Sequence, residues 1–253
     1  NVYRSTTPGF TPSAANRIAQ PSSTNYTDLG RTAGTYYYKV TADDTAGNTS
    51  APSNEVTAVV PNGPLPGLVA AYGFDEGSGT TSADQSGNGN GATLANTTWS
   101  SSGKFGKALS FNGTNAWATV NSSNSLALTT GMTVEAWVNP TTLGNAYRTV
   151  VFREQTGNEV YSLYGNRSGS PQAPVGEVYV NGYKDASAST GLATGAWTHL
   201  AETYDGASVR LYVNGSLIST TAAPGSLASS NSPLRIGGNN IWGEYFSGLI
   251  DEV

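Results

Sequence analysis

The chain contains no cysteine, which excludes disulfide cross-links and thiolate metal sites and leaves the redox compartment open. Charge is also scarce, with Asp, Glu, Lys and Arg together making up 11%. The 12 basic and 17 acidic side chains give a net charge of -5. No Lys/Arg run is present to neutralise a row of phosphates, so no nucleic-acid partner is expected. No stretch approaches the roughly 20 apolar residues of a bilayer-spanning helix, and no membrane partner is expected either. With a single histidine, a Ser-His-Asp arrangement would have to be built around His199, and no G-x-S-x-G elbow is present to supply its nucleophile.

What is present points to an all-β chain. Thirty-one glycines and a 10% aromatic share suit many short strands joined by tight turns. With 253 residues, 37% of them hydrophobic, the chain has room for two domains with real cores. The polar Thr/Ser/Asn-rich character favours a secreted, extracellular setting.

Residues 61–67, Pro61-Asn62-Gly63-Pro64-Leu65-Pro66-Gly67, carry three prolines that remove backbone donors and stiffen the path. They read as a linker between domains at 1–60 and 68–253. Before it, Tyr36, Tyr38, Val40 and Ala42 alternate with Tyr37, Lys39 and Thr41, the period of two of a half-buried strand. After it, Asn181-Gly182 and Asn214-Gly215 follow apolar runs, and both residue types accept the positive φ of a two-residue hairpin turn. Asp205-Gly206 marks a third reversal. Met132, Val134, Ala136 and Val138 alternate with Thr133, Glu135, Trp137 and Asn139, giving one apolar and one polar-aromatic face. Two packed antiparallel sheets follow.

The words Val2-Tyr3-Arg4-Ser5, Gly34-Thr35-Tyr36-Tyr37-Tyr38-Lys39-Val40 and Ala46-Gly47-Asn48-Thr49-Ser50 resemble the C-terminal half of a fibronectin type III domain. The resemblance implies a sandwich with Tyr36 as its corner tyrosine. Nothing matches that family's first strands, and a half sandwich exposes an apolar face and open edges. The chain is therefore expected to be a piece of a longer polypeptide, or to be completed by another segment. From residue 68 onward the resemblance is to a laminin-G-like, concanavalin A-like β jelly roll. It is carried by Tyr72-Gly73-Phe74-Asp75-Glu76-Gly77-Ser78-Gly79, Lys107-Ala108-Leu109-Ser110-Phe111-Asn112-Gly113, Val134-Glu135-Ala136-Trp137-Val138, Trp197-Thr198-His199-Leu200-Ala201 and Phe246-Ser247-Gly248-Leu249-Ile250-Asp251-Glu252-Val253. Trp137, Trp197 and His199 lie in these words, which implies structural roles.

The loop Asp84-Gln85-Ser86-Gly87-Asn88-Gly89-Asn90 puts oxygen-bearing side chains at alternate positions and begins like a calcium loop, with Ala95 where the acid at position twelve belongs. Calcium is the cofactor this loop suggests. Its ligands would be Asp84, Ser86, Asn88, Asn90 and, because first and last strands of a jelly roll often adjoin, Asp251, with Asp75 or Glu252 in reserve. The other reading is a polar turn whose side chains bond their own backbone. Glu202 and Arg210 flank the Asp205 turn and are expected to pair across it.

A sugar presents an apolar C–H face to a ring and its hydroxyls to amides and carboxylates. Trp242, in a Gly/Asn loop, with Tyr147, Tyr164 and Tyr183 near polar loops, supplies rings, and Arg153, Asn166 and Arg167 supply donors. The alternative is that these rings cap the sandwich as core. A glycosidase needs two carboxylates about 5–9.5 Å apart. The strand where concanavalin A-like glucanases carry them has only Glu135 here. The expected function is non-catalytic binding of a polysaccharide or glycan within a larger secreted enzyme or surface protein. The alternative is an adhesion or structural module contacting neighbouring domains or a strand-donating chain.

Overall fold

The computed structural model describes residues 1–28, 30–61 and 65–253, and the 62–64 part of the proline-rich segment lies outside the described residues. Two units follow one another, Asn1–Gly67 and Leu68–Val253. In the first, β1 (Val2–Ser5), β2 (Arg17–Ala19), β3 (Gly34–Val40) and β4 (Val56–Val60) form one antiparallel sheet in the order β2-β1-β3-β4. The Tyr36 hydroxyl donates to the Thr32 carbonyl at 2.8 Å. Asp28 accepts from Arg4 at 2.7 Å and from the Tyr38 hydroxyl at 2.7 Å, so one carboxylate ties a loop to two strands.

The second unit begins with β5 (Thr81–Ser82), β6 (Ala92–Ala95), β7 (Thr98–Ser100), β8 (Ala108–Asn112) and β9 (Trp117–Val120). It continues through β10 (Met132–Pro140), β11 (Arg148–Gln155), β12 (Asn158–Asn166), β13 (Val175–Tyr179) and β14 (Tyr183–Ser187). It ends with β15 (Thr198–Tyr204), β16 (Ser208–Val213), β17 (Ser216–Ala222), β18 (Leu234–Ile236) and β19 (Ser247–Asp251). Seven strands form one sheet, β17-β16-β15-β10-β19-β8-β7, and eight form the other, β14-β13-β12-β11-β18-β9-β6-β5. This is an all-β jelly roll.

Alternation decides which side chains enter the space between the sheets. Met132, Ala136 and Val138 of β10 are buried with Val151, Leu163, Val178 and Ile236 from the facing sheet. Each fully buried side chain of this kind contributes about 1.5–3 kcal/mol. The hairpin at Asn181-Gly182 has φ of 53° and 107°, and that at Asn214-Gly215 has 50° and 77°, the left-handed pair that closes two-residue turns. The start and the end of this unit meet where Tyr72 and Val253 exchange backbone bonds at 2.8 and 3.0 Å.

Two charged side chains also point into this core. Arg153, 1% exposed, sits opposite Tyr161 and Leu234 and donates to Ser122 Oγ and the Ser230 carbonyl. Glu202 is fully buried, and neither of its carboxyl oxygens has a hydrogen-bond partner. Gly176 makes room for it, since a Cβ there would stand 2.8 Å from Glu202 Cγ. The expected Glu202–Arg210 pair does not form. Register places Leu211 opposite Glu202 and Thr203 opposite Arg210, so the two project to opposite faces, and Arg210 instead meets Asp205 at 2.7 Å.

Candidate functional site

The polar face of the eight-stranded sheet reads, strand by strand, as Thr119, Arg235, Phe152, Ser162, Glu177 and Asp185, each directly paired with the next. At the β14 end this face sinks into a cleft of about 350 Å³. Four rings line it: Tyr147, Tyr164, Tyr183 and Trp242. Glu177, Asp185 and Glu244 supply carboxylates.

The rings differ in their burial. Tyr164 is 1% exposed and packs with Phe152 and Val175 in a small apolar cluster of its own on this face. It forms the floor. Tyr183 is 48% and Trp242 44% exposed, and they stand at the rim. The Trp242 ring meets Phe152 edge-on at 5.4 Å, and Tyr147 meets Tyr164 at 4.9 Å. Four residues expected to work together from sequence are thus in one place.

Two loops form the rim, and buried polar side chains fix both. Asn166, fully buried, donates to the Gly144 and Ala146 carbonyls, which positions Tyr147. Asn239, also fully buried, donates to Thr149 Oγ1 at 3.0 Å and Glu244 Oε2 at 2.9 Å, and its Oδ1 accepts from the Trp242 amide at 2.8 Å. Arg148 links the loops by donating to the Leu143 and Tyr245 carbonyls. Asn166 is therefore a support beneath the cleft. Arg167 stands at its edge, 4.0 Å from Asp185. Arg153 is not in the group, because alternation along β11 turns it to the core.

The carboxyls were not expected from sequence. Glu159, fully buried under the floor, has Oε2 3.5 Å from the Tyr164 hydroxyl, which also donates to Glu244 at 3.0 Å. Burial raises the Glu159 carboxyl well above the ordinary range, and contact with Glu177 raises it further. Burial likewise lifts Glu177 to about 7, and it raises Glu244. Contact between the two pushes Glu159 up and Glu177 down, as expected of two crowded carboxyls. The available sequence signal was Glu177 between Val175 and Tyr179, and Asp185 two residues after Tyr183, acids in phase with rings on neighbouring strands.

The loop at 84–90 closes on hydrogen bonds of its own. Asp84 accepts from the Ala71 and Ser86 amides at Oδ1 and from the Ser86 hydroxyl and Asn90 amide at Oδ2. The Asn88 and Asn90 side-chain amides donate to the Leu68 and Val69 carbonyls. Asp251 lies elsewhere. Paired with Trp137 in register, it accepts from the Lys104 and Phe105 amides, near Asp75 and Glu252. First and last segments of the unit that adjoin do not by themselves align these side chains.

Trp99, Trp117 and Trp137 are held by neighbours of their own. Trp117 stacks on Tyr245 at 5.8 Å beneath Arg235, and the Trp99 indole donates to the Gly79 carbonyl. Trp137 lies 5.3 Å from the His199 ring, and Lys104 covers it at 4.1 Å.

Domain 4 of an extracellular GH43 arabinanase from Geobacillus stearothermophilus, in complex with arabinotriose, superposes with a TM-score of 0.60 at 24% identity, over 73% of this chain and 89% of that one. Trypanosoma rangeli sialidase in complex with sialic acid gives 0.55 at 15%, over 86% and 40%. The binding domain of Paraclostridial Mosquitocidal Protein 1 gives 0.56 at 17%, over 73% and 47%. At these identities the likeness is one of fold. No sequence among the curated proteins matches. A family model does match, over residues 112–253, which includes every strand and loop of the cleft, and by that match the chain belongs to the concanavalin A-like lectin/glucanases superfamily.

Proposed function

We propose that the second unit is a non-catalytic, extracellular carbohydrate-binding module of a larger secreted enzyme or surface protein, and that its site is the cleft between Tyr147, Tyr183 and Trp242. The observation that carries this reading is the convergence of exposed rings with carboxylates on one fixed sheet face. Rings stack on the C–H face of a sugar while carboxylates accept from its hydroxyls. The arabinotriose-bound arabinanase domain of the same fold supports a glycan as the kind of ligand.

Glycosidases need two carboxyls flanking the scissile bond, and the strand where concanavalin A-like glucanases carry them has only Glu135 here, which supports the non-catalytic reading. A half fibronectin type III spacer in the first unit is part of the same proposal, supported by the Tyr36–Thr32 bond.

Isothermal titration of the chain with soluble oligosaccharides tests the reading. Trp242→Ala is expected to weaken binding at least about tenfold, about 1.4 kcal/mol, for loss of a stacking ring. Affinity unchanged in that variant removes the cleft, and no heat with any glycan removes the function. Calcium at the 84–90 loop is a separate proposal, since Asp84 would have to exchange N–H donors for the cation. Melting with and without chelator decides it, because a bound ion raises the midpoint by mass action.

A further inference from the structure

We infer that the cleft takes a linear oligosaccharide of several units laid along the strands, with a second sugar position on the Tyr183 ring at the β13–β14 turn, a reading that rests on the carbohydrate proposal above and specifies its ligand. Register strings the rings out in that direction. Tyr179 and Tyr183 form one cross-strand row, Asp185, Glu177, Ser162 and Phe152 the row two residues on, and Val175 and Tyr164 the next. Trp242 meets Phe152 in the middle row, and Tyr147 meets Tyr164 in the last. From the first row to the last is four residues along β13, about 13 Å at the rise of a strand, which is longer than one sugar ring. A chain lying this way meets a ring at either end and the Glu177 and Asp185 carboxyls between them, whereas a lone sugar meets one end only.

Tyr183 is held as a platform. Its side chain crosses β13, and its hydroxyl donates to Oδ1 of Asn158, the first residue of β12, at 2.5 Å. The same oxygen accepts from the Glu159 amide at 2.9 Å, which fixes the acceptor in place, and the Tyr179 ring backs the Tyr183 ring at 5.1 Å and 75°. Tied at its backbone and its hydroxyl, Tyr183 still leaves 48% of its surface open to solvent. A ring that must be ordered on binding loses part of its stacking energy to entropy, and a ring tied in advance keeps it. Asn158 is therefore a positioning residue for the second sugar, acting through Tyr183.

The test is titration calorimetry of the full chain with the dimers and hexamers of four neutral sugars: β-1,4-linked glucose, xylose and mannose, and α-1,5-linked arabinose. A hexamer gains about fivefold over its dimer merely from the registers in which two of its units can sit. The hexamer of a sugar that binds is expected to be at least about thirtyfold tighter than its dimer, since a second stacking ring adds up to about a further tenfold. Tyr183→Ala is expected to bring that ratio down to the register factor and Asn158→Ala to lower it several-fold, with circular dichroism confirming the fold of each. Asn158→Asp keeps an acceptor for the Tyr183 hydroxyl and is expected to restore the ratio, and Trp242→Ala to weaken every dimer and hexamer that binds. A ratio at or below the register factor in the unaltered chain, with binding still sensitive to Trp242→Ala, overturns the inference and leaves the glycan site standing. A large ratio that Tyr183→Ala leaves unmoved overturns it too, because the added sugars are then held elsewhere, and failure of Asn158→Asp to restore the ratio overturns the positioning role of Asn158. Silence from all eight sugars removes the inference together with the glycan reading beneath it.

Discussion

A buried carboxyl is costly when nothing pairs with it, and Glu202 has no donor at either oxygen. Burial raises its pKa well above the ordinary range, and nearby Glu177 adds to the shift, so it folds as the neutral acid. Leaving a buried polar group unsatisfied costs about 1–3 kcal/mol. Val134 and Leu211 flank it in register, and Gly176 yields the space above it, so an unbranched apolar side chain of similar length fits the same volume. Glu202→Met is expected to stabilise the unit by about 1–3 kcal/mol in urea unfolding. A lower midpoint in that variant means that Glu202 has a partner of real worth. Gly176→Ala is expected to do the opposite, by driving a methyl group against Glu202 in a close-packed core.

The rim loops gain their order from side chains that they do not expose. Asn239→Ala removes three hydrogen bonds at once and leaves Glu244 with the Tyr164 hydroxyl as its remaining side-chain donor among the described residues. Amides at 239–246 are expected to exchange with deuterium at least about tenfold faster while the strand amides of β10 and β15 keep their protection. Unchanged exchange at 239–246 shows that Arg148 and the Glu154 bond to the Asn240 amide suffice to hold the loop. Elements were legible in the sequence because their cause is local. Period-two alternation in β10 and the positive φ of Asn181, Asn214 and their glycines need no knowledge of the partner strand. Ring positions at the cleft were legible for a similar reason, since Trp242 sits among Gly and Asn. The carboxyls and Arg153 were not, because which face a residue takes depends on register and bulges. The pairing shift between Arg153 and Glu154, which brings Glu154 opposite Glu159, has no sequence signal.

Across the whole molecule the titrating groups fall into two sets that act at opposite ends of the pH scale. Asp28, bonded to Arg4 and Tyr38, and Asp84, bonded to its loop, keep lowered pKa values against their burial. Their contribution is present above the ordinary carboxylate range, about 4, and is lost as pH falls through their folded values. Glu159 and Glu202 are raised well above that range, Asp251 to about 6 and Glu177 and Glu252 to about 7, with burial the leading cause for each. These five bind protons in the folded chain that the unfolded chain has released. The stability they contribute is complete below about pH 4 and is lost as pH rises through their folded values. The first set loses its contribution in acid and the second loses its own from about pH 4 upward, Asp251, Glu177 and Glu252 through about 6 to 7, so the thermal midpoint is expected to peak near pH 5 and to fall towards pH 8. Calorimetry across that range checks the sign. Glu202→Met together with Glu252→Gln should flatten the descending limb and leave the acid limb untouched. A midpoint that climbs steadily from pH 5 to 8 means that the buried carboxyls are ionised in the fold, each with a cationic or hydrogen-bonding partner.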